Sequence, residues 1–125
     1  DGTVDVISTD HAPHTLEDKA AGSPGFTGIE TAYAVCNTVL VKHCQFNPRR
    51  LSQLMSAKPA RILGLQKGVI KPGFDADLTL IDPDEEWTVD IEHFYSKGKA
   101  TPFDGQEVIG KVKGLFIDGR LVLEK

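Results

Sequence analysis

The stretch Val4-Asp5-Val6-Ile7-Ser8-Thr9-Asp10-His11-Ala12-Pro13-His14 decides how this chain is read. Val4 to Ser8 is short, β-branched and apolar, the pattern of a buried strand. Chemically able side chains crowd in directly after it. Parallel α/β barrels build their active sites at this position, the C-terminal ends of their strands. A carboxylate at Asp10 can ligate a metal and can take or give a proton. The imidazoles of His11 and His14 add donors for an anionic substrate, or further metal ligands. Spacing alone leaves open a plain polar turn with local hydrogen bonds. His11 and His14 do not make a zinc site as a pair, because three or four ligands are the norm.

Downstream, Thr9 to Gly28 contains two prolines and three glycines and no sustained period, which predicts a long loop. Loops of that length inside compact domains are usually functional. From Ile29 to about Gln45 the apolar residues Ile29, Ala32, Tyr33, Cys36, Val39 and Leu40 recur at spacings of three and four, as in an amphipathic helix. Asn47-Pro48 supplies an N-cap and a proline at the first helical position, starting a helix that runs to about Met55. Ser56 is expected to cap a third, short helix, Pro59 to Leu63, which Gly64 ends. After Leu65 the pattern turns to short β-rich runs: Val69-Ile70, Leu78 to Ile81 and Trp87 to Val89. Val112 to Ile117 and Leu121 to Leu123 flank Asp118-Gly119, a strong hairpin signal. The expected division is therefore strand, loop and helices in residues 1–65 and a small β layer in residues 66–125.

The bulk numbers frame this. The chain has 125 residues, 40% hydrophobic and 26% charged, as in a soluble globular domain. A net charge of -4 argues against nucleic acid or an anionic membrane as the main partner. No run approaches about 18 apolar residues, so no membrane span is expected. Cys36 and Cys44 fall about 12 Å apart along one helix, too far for a disulfide. Free thiols and the lack of a Cys-x-x-Cys pair point to a cytoplasmic protein. Asp1-Gly2-Thr3-Val4-Asp5 has neither Met nor a basic segment followed by an apolar one, so it is not expected to be a signal peptide. It reads as a strand already under way, in a chain expected to be part of something longer.

Thr9-Asp10-His11-Ala12-Pro13-His14-Thr15-Leu16-Glu17-Asp18-Lys19, followed by Ser23-Pro24-Gly25-Phe26 and Gly28-Ile29-Glu30-Thr31, resembles the dihydroorotase signature after the eighth strand of an amidohydrolase barrel. The similarity continues through Asn47-Pro48, Lys58 to Leu65, Gly68 to Leu78, Trp87, Ser96-Lys97 and Thr101 to Gly105. Gly73-Phe74-Asp75-Ala76-Asp77-Leu78 resembles amidohydrolases at large; His14 and the Ser-Pro-Gly-Phe loop carry the narrower likeness. The resemblance implies the last strand, active-site loop and helices of a TIM-barrel amidohydrolase, followed by a small β-sandwich layer. It also implies a parent that interconverts L-dihydroorotate and N-carbamoyl-L-aspartate with zinc, two per active site. Asp10 would contact one zinc and shuttle the proton. His14 would bind the substrate carboxylate, and backbone groups around Pro24 and Gly25 would hold the ring amide.

The family takes its other ligands from a His-x-His pair, a carboxylated Lys and two later histidines. No His-x-His occurs here, and the remaining histidines, His43 and His93, match no motif. The isolated chain is therefore expected to be inactive and to bind no zinc tightly. With helix faces meant for the missing N-terminal barrel, it is expected to self-associate or to have a mobile start. His11 is expected to orient the Asp10 loop, Lys19 and Glu17 to be solvated, Glu30 to open a helix, and Trp87 and Phe103 to fill the β layer. Two other readings stand beside the first. One is a hydantoinase or allantoinase relative; the other is a non-catalytic scaffold subunit for a partner such as aspartate transcarbamoylase.

Overall fold

The computed structural model describes residues 2–124, so Asp1 of the opening stretch lies outside them. Val4 to Ser8 forms no sheet pairing. Among the described residues a backbone tie runs from the Ile7 N–H to the Leu54 carbonyl at 3.1 Å. A strand is held by its ladder, and none of the described strands lies beside this one, so β-propensity alone does not produce it.

The expected long loop contains one helical turn, α1 (Leu16–Ala20). Thr15 and Asp18 close a capping box around its start: the Thr15 hydroxyl accepts the Asp18 N–H, and the Asp18 carboxylate accepts the Thr15 N–H. The hydroxyl and N–H of Thr15 together hold the Asp18 carboxyl below its usual range.

The first amphipathic helix begins later than its apolar pattern suggests, as α2 (Ala32–Cys36), and runs on in wider π turns through Asn37–His43. Ile29 stays outside it and exposed. The next run begins as expected at Asn47, whose side chain accepts the Arg49 N–H at 2.9 Å, with Pro48 behind it in α3 (Pro48–Ser52). The expected break at Ser56 is absent. The run widens into π turns at Gln53–Ala57 and continues as α4 (Lys58–Ile62). Pro59 has no N–H to give, and its ring crowds the carbonyl a turn back. A wider turn before it lets the helix pass through. Gly64 (φ +68) then stops the helix as predicted. The Leu65 N–H reaches back to the Ala60 carbonyl and the Gly64 N–H to the Arg61 carbonyl, a Schellman closure.

Val69-Ile70 is not a strand, and Ile70 is 89% exposed. The β portion is one antiparallel sheet, β1 (Leu78–Thr88), β2 (Glu107–Ile117) and β3 (Arg120–Glu124), in the order β1-β2-β3. Asp118 (φ 50) and Gly119 (φ 73) make the predicted two-residue hairpin turn, with Ile117 opposite Arg120. The Gly-x-Asp-Ala-Asp segment braces that turn. The Ala76 carbonyl accepts the Gly119 N–H at 2.9 Å, and Asp77 accepts the Asp118 N–H at 3.0 Å. Lys67, paired with Asp77, holds that carboxyl below its usual range.

α2 packs on the sheet around Ala34, Val89 and Val108, with Trp87, Phe94 and Phe103 partly buried against them. Trp87 and Phe103 thus fill the β layer as expected. Leu51 and Leu54 are buried from the second helical run. Both cysteines are free, and burial pushes the Cys36 thiol up. Among the described residues no helix is long and apolar enough to cross a membrane.

Candidate functional site

Two loops meet beyond residue 8. The Ala12 N–H donates to the Phe26 carbonyl at 3.0 Å, and His11 bridges Phe26 in parallel. Gly25 sits where no other residue fits: at φ +108, an added Cβ would lie 2.8 Å from both the Cβ and the carbonyl oxygen of Ala12. That close approach also brings Gly25 to His14, whose Cδ2 would stand 3.4 Å from the same Cβ. His14 and Gly25 are therefore brought together, with Pro24 next to Gly25 in the chain and Asp10 two residues before the contact point.

Asp10 is exposed and adopts a left-handed backbone (φ 47), a conformation rare outside glycine but one that Asp and Asn tolerate. Among the described residues no hydrogen bond or ion pair engages its carboxylate. His11 does orient the loop: its Nδ1 accepts the N–H groups of Gly28 (3.2 Å) and Ile29 (3.3 Å), so the ring proton sits on Nε2. His14 is half-buried, and no hydrogen bond restrains its imidazole among the described residues. His43 is exposed away from this surface, and His93 is paired with Asp90 at 2.7 Å.

Lys19 corrects the expectation of a solvated charge. Its ammonium donates to the Ser23 carbonyl at 2.8 Å and the Gly25 carbonyl at 3.0 Å, and lies 5.0 Å from the centre of the Phe26 ring. Spacing gave no sign of this, because the loop must fold back before Lys19 meets residues four and six places on. The ammonium thus takes up one acceptor site of the Gly25 carbonyl. Glu30 corrects its expectation too. It precedes the helix, and its carboxylate accepts the N–H groups of Tyr95 and Ser96.

Lys19→Met keeps the apolar stem and removes the donor. We expect the Ala12 amide, which depends on the Ser23–Phe26 loop, to exchange with solvent about tenfold faster. Unchanged protection at Ala12 would mean that the ammonium does not hold the loop.

The donor set does not fit zinc by itself. No group of three or more His, Cys, Asp or Glu side chains converges among the described residues. Zinc normally needs at least three protein ligands, and Asp10 is a single carboxylate.

The family model described as "Amidohydrolase family" matches residues 1–122. A dihydroorotase from Clostridium botulinum (strain Eklund 17B / Type B) is 50% identical over 124 residues, covering 99% of this chain and 31% of that protein. A dihydroorotase from Caldanaerobacter subterraneus subsp. tengcongensis is 44% identical over 129 residues, covering 100% of this chain and 30% of that protein. The solved structure of an L-hydantoinase (dihydropyrimidinase) from Arthrobacter aurescens matches with a TM-score of 0.92 at 35% identity, over 99% of this chain and 30% of that one. The chain spans about three tenths of the length of each of these relatives.

Proposed function

The chain belongs to the amidohydrolase family, and on that premise we propose that it is the C-terminal part of a dihydroorotase. The parent would reversibly hydrolyse L-dihydroorotate to N-carbamoyl-L-aspartate, in pyrimidine biosynthesis in the cytoplasm. The single observation that carries this is the close approach of Gly25 to Ala12 and His14, two and four residues after Asp10. Whole-chain likeness to dihydroorotases supports it.

In this reading Asp10 accepts a proton as water adds to the ring carbonyl, then returns it to the amide nitrogen as the ring C–N bond breaks. The His14 imidazole meets the substrate carboxylate, which a neutral hydantoin lacks. The Gly25 N–H meets the ring amide. Zinc, two per site, belongs to the parent, with Asp10 as this chain's contribution. Residues 1–65 are the end of the barrel and residues 66–125 part of the small β domain.

The similarity in structure to a hydantoinase favours a second reading, action on another cyclic amide. Product analysis of the full-length parent separates the two. Dihydroorotate should be turned over well ahead of hydantoin and allantoin, and a preference for either neutral ring would overturn the assignment.

The exposed Val4, Ile62 and Leu63 suit burial against the remainder of a barrel. We therefore expect the isolated chain to be inactive and to self-associate. A monodisperse monomer in light scattering would count against that association.

A further inference from the structure

Residues 94–100 are fastened to the back of the loop that carries Asp10 and His14, by contacts that come from different elements. Thr27 is 1% exposed; its hydroxyl donates to the Gly98 carbonyl at 2.6 Å and its N–H to the Ala100 carbonyl at 2.8 Å. Glu30 accepts the Tyr95 N–H with one carboxylate oxygen and the Ser96 N–H with the other, both at 2.9 Å. Lys99 folds back to donate to the Phe94 carbonyl at 2.9 Å. Gly98, buried between these ties, lies flat against the loop. An added Cβ there would stand 2.7 Å from the Pro13 Cβ, 2.9 Å from the His14 carbonyl oxygen and 3.0 Å from the His14 nitrogen.

We propose that this segment is a positioning strap for His14, with Gly98 and Thr27 as its positioning residues. No hydrogen bond fixes the His14 imidazole among the described residues, so the direction of the ring follows from its backbone and from its contact with Gly25. Gly98 sets that backbone from behind. Thr27 sets Gly98, and does so from within the loop that also carries Gly25. The strap thus fixes the distance between two groups proposed to hold opposite parts of one substrate, and a displacement of a few tenths of an ångström is felt at both. The consequence for substrate rests on the reading of His14 as the partner of the substrate carboxylate.

The test uses the full-length parent with Gly98→Ala, Thr27→Val and Thr27→Ser. Steady-state kinetics with dihydroorotate give one readout, and the imidazole NMR signals of His14 against those of His43 and His93 give another. We expect Gly98→Ala and Thr27→Val to raise KM at least tenfold while kcat stays within about threefold. His14 should shift alone, and Thr27→Ser, which keeps the hydroxyl, should behave as the parent does. A general loss of folding would instead lower activity without this split and move all three histidines. If the His14 signals stay in place in both Gly98→Ala and Thr27→Val, the strap is overturned. If His14 shifts and KM does not, the strap stands and the role of His14 toward the substrate carboxylate falls.

Discussion

Exchanging Asp10 for asparagine in the full-length parent is expected to lower kcat for dihydroorotate by about 10²–10⁴-fold, the range general acid–base groups contribute. The substitution suits the question because asparagine keeps the shape of the side chain and loses the ability to accept and return a proton, together with the negative charge that the carboxylate offers a metal. It also tolerates the left-handed backbone that Asp10 adopts at φ 47. Alanine would confound the two effects, adding a backbone cost of about 1–2 kcal/mol in that conformation to the loss of the carboxylate. The thermal midpoint of Asp10→Asn should therefore match the parent while turnover collapses. Because His14 and Gly25 are untouched, KM should change far less than kcat. An Asp10→Asn enzyme with undiminished turnover would remove the proton-carrying role, whatever the family likeness suggests.

The elements that were legible in the sequence are those closed by neighbours a few residues apart. Asn47-Pro48 announces a helix start because the Asn47 side chain reaches an N–H two residues on. Gly64 announces a stop because the Schellman closure spans only Ala60 to Leu65. Asp118-Gly119 announces a turn because both positions require positive φ. The misreadings share a different cause. Ser56 before Pro59 to Leu63 has the composition of a cap, whereas a π turn only moves the backbone hydrogen bond one residue further along and leaves no mark in the residue pattern. Val4 to Ser8 has strand composition without a ladder partner, and composition cannot supply one. At the proposed site, Asp10, His14, Pro24 and Gly25 are marked in the sequence only by likeness to a family. Their supports, Lys19, Thr27, Glu30 and Gly98, were not. Thr27 and Gly98 lie 71 residues apart, and nothing in either residue names the other.

The same blindness to long-range contacts hides Asn37, whose removal should have the largest effect on stability. Asn37 is 2% exposed on the π continuation of α2, a position where the periodic pattern calls for nothing polar. The pairing of β1 with β2 explains it. Between Asp82 and Glu86 the register slips, opening a bulge opposite Gly110 (φ +102). The Asn37 amide enters that gap and donates to the Pro83 carbonyl at 3.0 Å and the Ile109 carbonyl at 2.8 Å. Thr38, one residue on, accepts the Ile109 N–H at 2.7 Å. Gly110 leaves the room, since a Cβ there would stand 2.8 Å from the Asn37 amide nitrogen. Asn37→Leu fits roughly the same volume but takes the amide donor from two part-buried carbonyls, leaving Ile109 only the Thr38 hydroxyl at 3.4 Å, and each lost bond costs about 1–2 kcal/mol. We expect a total loss of about 2–4 kcal/mol, read as faster amide exchange at Val108 and Ile109 and a lower thermal midpoint of the intact protein. Asn37→Asp should be worse at neutral pH, because a carboxylate facing two carbonyls can donate to neither. It should recover partly on acidification, as protonation returns one donor and the buried acid favours its neutral form. If Asn37→Leu left exchange at Ile109 unchanged, the packing of Ala34, Val89 and Val108 would be holding helix to sheet without this polar joint.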